Sequence, residues 1–207
     1  MRIKLLSITP DSERLIETAG RTAYLSNKQS KGRSKREFIR KIIKAGHLSV
    51  LEHPYATFVI EGGSRAFTHQ LVRHRLCSYT QQSQRFVNEA QCNYIEPETI
   101  QNIEMAHRIF VDFMNKAKEV YSELQKLGIK NEDARFVLPN AVGSKIVVTA
   151  NFRQWRYIIE LRGSPNAQWE IRKVAVEVLK ILKKHAPVVF EDFVLDNEEK
   201  VVTKMES

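Results

Sequence analysis

Apolar residues recur at three- and four-residue steps most clearly over residues 103–127. There Ala106, Ile109, Phe110, Phe113, Ala117, Val120, Tyr121 and Leu124 share one side and Gly128 follows. That period predicts a long helix packed through this face. A second helical stretch carries Ile171, Val174, Ala175, Val178 and Leu182 on one side, with Arg172, Lys173, Glu177, Lys180 and Lys184 largely opposite. Ser164 and Pro165 suit its cap and first position. A third follows a capping box between Ser34 and Glu37, sets Phe38, Ile39, Ile42 and Ile43 at helical spacing, and stops at Gly46. Shorter helical patterns cover residues 12–25, 64–72, 131–139 with Asn131 as cap, and 151–161 with an apolar face of Trp155, Ile158 and Ile159. Clusters of β-formers predict strands at 3–8, 55–60 and 145–150, and a short one at 92–95. Residues 26–32 read as a polar loop, 47–53 as a turn carrying His47, Glu52 and His53, and Glu61-Gly62-Gly63 as a tight turn. Residues 86–95 are otherwise irregular, Pro97 marks a turn, and the charged tail from Asn197 is expected to fray. No repeat or linker divides the chain. The expectation is one α/β domain, a mixed or antiparallel central sheet flanked by long helices.

Composition narrows the class. At 207 residues the chain can bury one core. No apolar run approaches the ~20 residues that span a bilayer, and the N-terminus lacks a signal-peptide pattern, so a cytoplasmic protein without a membrane partner is expected. A net charge of +9 favours anionic partners. Only Cys77 and Cys92 occur, with no C-x-x-C spacing. His47 and His53 are six apart, with no H-E-x-x-H. No metal site is expected.

The chemistry concentrates in Arg73-His74-Arg75-Leu76-Cys77-Ser78-Tyr79-Thr80-Gln81-Gln82-Ser83-Gln84-Arg85. Three arginines and a histidine lie among amide and hydroxyl side chains, and the stretch holds no acid. Guanidinium is always charged and offers a planar fork to phosphate or carboxylate. Ser, Thr and Gln both accept and donate, as the edge of a base requires. Arg73 to Arg75 would also suit the negative end of a helix. That accounts neither for the polar run that follows nor for Arg85. The tract reads as a loop that holds something anionic and flat, such as a nucleotide. Gln70 and Arg73 share a helical face and can reach one ligand together. Arg162 lies seven residues after Trp155, on the apolar side of its helix. It either meets an anion or carbonyl there, since a buried unpaired charge costs several kcal/mol, or points to water beyond the helix end.

Arg73-His74-Arg75, seven residues, then Ser83 resembles the signature of flavin-dependent thymidylate synthases. Gly46-His47 through Glu52-His53, Arg135-Phe136-Val137-Leu138-Pro139, Asn151-Phe152-Arg153, Leu161-Arg162 and Ala167-Gln168-Trp169-Glu170 are similar to the same family. The resemblance implies a homotetramer with FAD between subunits. It implies methylation of dUMP to dTMP with methylenetetrahydrofolate as carbon donor and NADPH as reductant. By position, Gln70, Arg73, Gln81, Gln82, Ser83, Gln84, Arg85, Arg135 and Arg162 match dUMP-binding residues. Ser49, Arg73, His74, Arg75, Gln81, Asn151 and Arg153 match flavin-binding ones. Arg162 matches the arginine that polarises the uracil, and His47 a histidine near folate and flavin. Tyr157 and Asn166 depart from the Asn and His of some relatives.

Uracil C5 is a poor nucleophile, so electron density must be pushed into the ring. Neither Leu76-Cys77-Ser78 nor Gln91-Cys92-Asn93 looks like the Pro-Cys-His setting of cysteine-dependent synthases. Ser83 has no base near it in sequence, and a serine needs one to attack. Phosphate binding is therefore the expected role of Ser83, and electrostatic stabilisation that of Arg162. Two other classes compete. A nucleic-acid-binding module fits the charge and the nearby Tyr79 and Phe86. A nucleotide phosphohydrolase needs clustered carboxylates for magnesium, which these stretches lack.

Overall fold

The computed structural model describes residues 1–23, 34–196, 198 and 200–205. The loop expected at 26–32 lies outside the described residues. The chain forms β1 (Arg2–Ile8), α1 (Ser12–Ala23), α2 (Lys35–Lys44), a 3-10 turn Leu48–Glu52, β2 (Tyr55–Ser64), α3 (Arg65–Leu71), β3 (Ser78–Gln81) and α4 (Glu98–Gln101). It continues through α5 (Glu104–Lys126), α6 (Asn131–Ala134), a 3-10 turn Arg135–Val137, β4 (Gly143–Asn151), α7 (Phe152–Gly163), α8 (Trp169–His185), β5 (Phe193–Asp196) and β6 (Val201–Lys204). The larger sheet has the order β1-β2-β4-β3, and β5 and β6 form a second, antiparallel sheet. No helix among the described residues is long and apolar enough to cross a membrane.

The chain groups into two compact units. The first holds residues 1–2, 60–73 and 80–147, the second 3–59, 74–79 and 148–207. The chain passes between them repeatedly, so no boundary in the sequence announces them.

In the first unit, Ser64 caps α3 by accepting from the Phe67 N–H at 3.0 Å. Met114 of α5, Cys92 and Val142 form a core joined by Tyr94, Phe110, Leu138 and Ala141. Only Met114, Ala117 and Tyr121 of α5 are buried; Ile109 and Phe113, expected in the core, are exposed. Glu61-Gly62-Gly63 continues β2 instead of turning, with Gly62 at φ +72 absorbing the local distortion. The short strand expected at 92–95 is reduced to one antiparallel bridge between Tyr94 and Val142. The tract expected as a loop contains β3, and Pro97 precedes one turn of helix.

In the second unit, α7 packs on α8 and on β6. Trp155 is buried edge-on against Phe58, at 5.1 Å between ring centroids, and its indole N–H donates to the Ala56 carbonyl at 3.0 Å. The Ser34–Glu37 capping box is present. The cap of α8 is Gln168, whose side chain accepts from the Glu170 and Ile171 N–H groups; the expected Ser164–Pro165 start lies in the preceding turn. The tail expected to fray forms β6. Val201 and Val202 are buried there, because β5 offers a pairing edge and α7 an apolar surface.

Candidate active site

The first unit carries the amide-rich part of the tract. Gln81 closes β3, and its side-chain amide donates to the hydroxyls of Thr68 (2.9 Å) and Ser144 (3.1 Å). Both donor hydrogens are thus oriented by buried partners, while the amide oxygen stays available. The Gln82 amide donates to the buried Glu89 carboxylate at 3.0 Å. Burial pushes the Glu89 carboxyl up, against the opposing influence of the Gln82 amide and the Arg65 guanidinium. The backbone then turns at Ser83, whose carbonyl accepts from the Val87 N–H at 2.9 Å and whose hydroxyl accepts from the Arg85 N–H at 3.3 Å. Among the described residues, no histidine or carboxylate is bonded to that hydroxyl.

Glu132 gathers two of the expected arginines. Arg85 donates to its carboxylate at 3.0 Å and Arg135 to its carbonyl at 3.0 Å. Arg65, at the start of α3, lies in the same electrostatic neighbourhood. Burial and then the Arg135 guanidinium lower its pKa, with Glu89 in opposition. Three guanidinium groups therefore face two carboxylates, a local excess of positive charge. Gln70 and Gln84 are half-buried. Arg73, beyond the end of α3, is exposed, with no carboxylate partner among the described residues. A cleft of about 340 Å³ adjoins Gln82 and Glu89, with Cys92, Asn93, Ser144 and Lys145 in its wall.

The second unit holds the remaining candidates. Arg162, in the last turn of α7, donates from Nε to Nε2 of His74 at 3.0 Å. Of the two expected alternatives for Arg162, the turn to water does not hold: the residue is half-buried and its Nε meets a ring nitrogen. His74 is buried, and burial followed by the Arg162 cation lowers its pKa to about 4. Asn151 caps α7 by accepting from the Gln154 N–H at 2.8 Å, so its own amide hydrogens point elsewhere. Arg153 is paired with Glu52 at 2.5 Å, and both are exposed. Asn151, Arg153 and Glu52, with Leu76, Tyr55, Tyr157, Glu160 and Lys204, line a cleft of about 680 Å³. Arg75 is exposed, with no carboxylate partner among the described residues; Ser49 on the 3-10 turn and His47 just before it are exposed too.

Arg65, Glu89 and Glu132 were not legible as site residues. Arg65 reads as the first residue of a helix and Glu132 as a first-turn acid. Only folding shows that they surround the glutamine–arginine run.

An α/β protein with an arginine–amide tract and a second arginine held by a neutral imidazole is the setting of an enzyme that handles an anionic nucleotide. Residues 4–188 match the family described as thymidylate synthase complementing protein. A flavin-dependent thymidylate synthase of Geobacter sulfurreducens is 44% identical over 200 residues, 93% of this chain and 86% of that protein. One from Corynebacterium diphtheriae is 41% identical over 207 residues, 92% and 82%. Among solved structures, the UMP/dUMP methylase PolB of Streptomyces cacaoi, bound with 5-Br dUMP, shares the fold at a TM-score of 0.81 and 23% identity, over 92% of this chain and 93% of that one. The chain belongs to the flavin-dependent thymidylate synthase family of enzymes.

Proposed function

We propose that the protein reductively methylates dUMP to dTMP, with methylenetetrahydrofolate as carbon donor, FAD as bound flavin and NADPH as reductant. The carrying observation is the Arg162 guanidinium, whose Nε donates to the neutral ring of His74, so that no carboxylate among the described residues offsets its charge. Set against a pyrimidine carbonyl, its free Nη groups stabilise the negative charge that develops as N3 loses its proton and C5 becomes nucleophilic. Arg85, Arg135 and the Ser83 hydroxyl suit the nucleotide phosphate. Gln81, with its amide hydrogens fixed by Thr68 and Ser144, presents its oxygen as an acceptor.

The residues present fit a dinucleotide flavin. Arg73 and Arg75 each offer an uncommitted guanidinium to a diphosphate, and the cleft beside Asn151 and Arg153 has polar and aromatic walls. Gln70 and Gln84 are assigned to dUMP, Ser49 to the flavin, and His47 to the neighbourhood of folate and flavin. The reduced flavin supplies the hydride that completes the methyl group. The chain's own part is to bind and orient the nucleotide and to stabilise charge on it. Ser83 is assigned to the phosphate and not to attack on the ring, because no base is bonded to its hydroxyl among the described residues.

Purified protein is expected to be yellow, to bleach with NADPH, and to bleach faster when dUMP is present. Adding methylenetetrahydrofolate is expected to give dTMP. A colourless protein that binds oligonucleotides with steep salt dependence would return the nucleic-acid-binding class to first place.

A further inference from the structure

Burial divides the Arg73-His74-Arg75 triplet. The two arginines are exposed, whereas His74 between them is 4% exposed. The resemblance counts His74 among the flavin contacts, yet its Nε2 already accepts from Arg162 Nε at 3.0 Å. An arginine Nε always carries its hydrogen, so Nε2 must be the acceptor and the ring hydrogen must sit on Nδ1. The ring is held from the side by Tyr157, edge-on at 5.7 Å between centroids. The backbone is held as well, since the Tyr79 hydroxyl donates to the His74 carbonyl at 3.0 Å.

We propose that His74 is a positioning residue. It accepts from Arg162 Nε–H and so aims both Nη groups at the pyrimidine. A carboxylate in its place would orient Arg162 equally well but would cancel the charge that the nucleotide needs. A neutral imidazole orients without cancelling. Burial and the adjacent cation keep the ring neutral far below the working pH. The uncharged state is thus imposed by the same geometry that uses it. This assignment rests on the dUMP-methylating function proposed above.

Two variants and one spectroscopic measurement test it. His74→Phe keeps a flat apolar ring against Tyr157 and removes the acceptor. His74→Gln restores an acceptor oxygen. His74→Phe is expected to lower kcat at least tenfold, with the KM for dUMP and the flavin content each within threefold of the parent. His74→Gln is expected to regain most of the lost kcat. Loss of flavin with unchanged kcat per bound flavin would overturn the proposal in favour of a flavin contact. So would a His74→Gln enzyme no better than His74→Phe. The third measurement does not depend on turnover. In the 15N-histidine spectrum of the parent protein, the signal lost in His74→Gln is expected to show a protonated Nδ1 and a bare Nε2 that shifts in Arg162→Ala. A protonated Nε2, or no shift in Arg162→Ala, would sink the pairing whatever the turnover of the variants. If the parent does not methylate dUMP while this signature is present, the functional proposal fails and the pairing stands.

Discussion

Ser83 illustrates how far one side chain can be assigned from its neighbours. Its hydroxyl is oriented by the Arg85 N–H at 3.3 Å and has no base among its described partners. Ser83→Ala is therefore expected to leave kcat within threefold and to raise the KM for dUMP about tenfold, the loss of one hydrogen bond to a charged group. Steady-state rates at varied dUMP decide it; abolished turnover with dUMP still bound would make Ser83 the nucleophile. His74 yields a second expectation at this scale, through pH. Its pKa falls from 6.5 to about 4 in the fold. Between those values the unfolded chain binds a proton at His74 and the folded chain does not. The stability that neutral His74 contributes is therefore complete above about pH 6.5 and is lost as pH falls towards 4. Allowing for partial solvation, the loss is roughly 2 kcal/mol. Urea midpoints of the parent and His74→Gln should differ less at pH 4.5 than at pH 7, since the variant lacks this titration.

At the scale of elements, the C-terminal ribbon shows what period and propensity leave out. Residues 197–207 carry five charged side chains among eleven, which reads as a fraying tail, yet Val201 and Val202 are buried. The reason is three contacts spaced along one side of α7. Arg156 is buried and pairs with Asp192 at 2.5 Å, Glu160 pairs with Lys204 at 2.9 Å, and Gly163 meets Val202 so closely that a Cβ there would lie 2.7 Å from the valine Cβ. None of these contacts is visible in a local window of sequence. Val202→Asp would bury an unpaired carboxylate against α7 and is expected to cost about 3 kcal/mol or more. Lys204→Met removes only an exposed ion pair and should cost less than about 1 kcal/mol. Equal urea midpoints for the parent and Val202→Asp would mean that the tail frays after all. Elements with strong local signals were legible in advance: the Ser34–Glu37 capping box, the long helix around Tyr121, and strands near 3–8, 55–60 and 145–150. The exposed side of α5 was not, because Ile109 and Phe113 continue the same period as the buried Met114 and Tyr121 neighbours. Period reports apolarity, and it cannot say what covers it.

At the scale of the whole molecule, the two most exposed large apolar side chains among the described residues lie beside candidate site residues. Phe86 is 81% exposed next to Arg85, and Phe136 is 84% exposed next to Arg135. Large aromatic groups left in water beside cations mark surfaces made to be covered. We propose that copies of this chain cover them, in the homotetramer that the resemblance implies, roughly 96 kDa from chains of 24.0 kDa. The chain's candidate arginines would then serve sites completed by a partner, and mixing experiments can tell whether they do. Arg135→Ala and Arg162→Ala are each expected to lower activity a hundredfold or more. If one protomer supplies Arg135 and another Arg162, random co-assembly of the two variants restores both arginines in roughly a quarter of the sites. If one chain supplies both, every site in the mixture stays defective. Co-expressed variants carrying different tags, purified in tandem and assayed for dTMP formation per flavin, separate the two cases. Recovery near a quarter of the parent rate places Arg135 in a neighbour's site, and a rate no higher than either variant alone confines the site to a single chain.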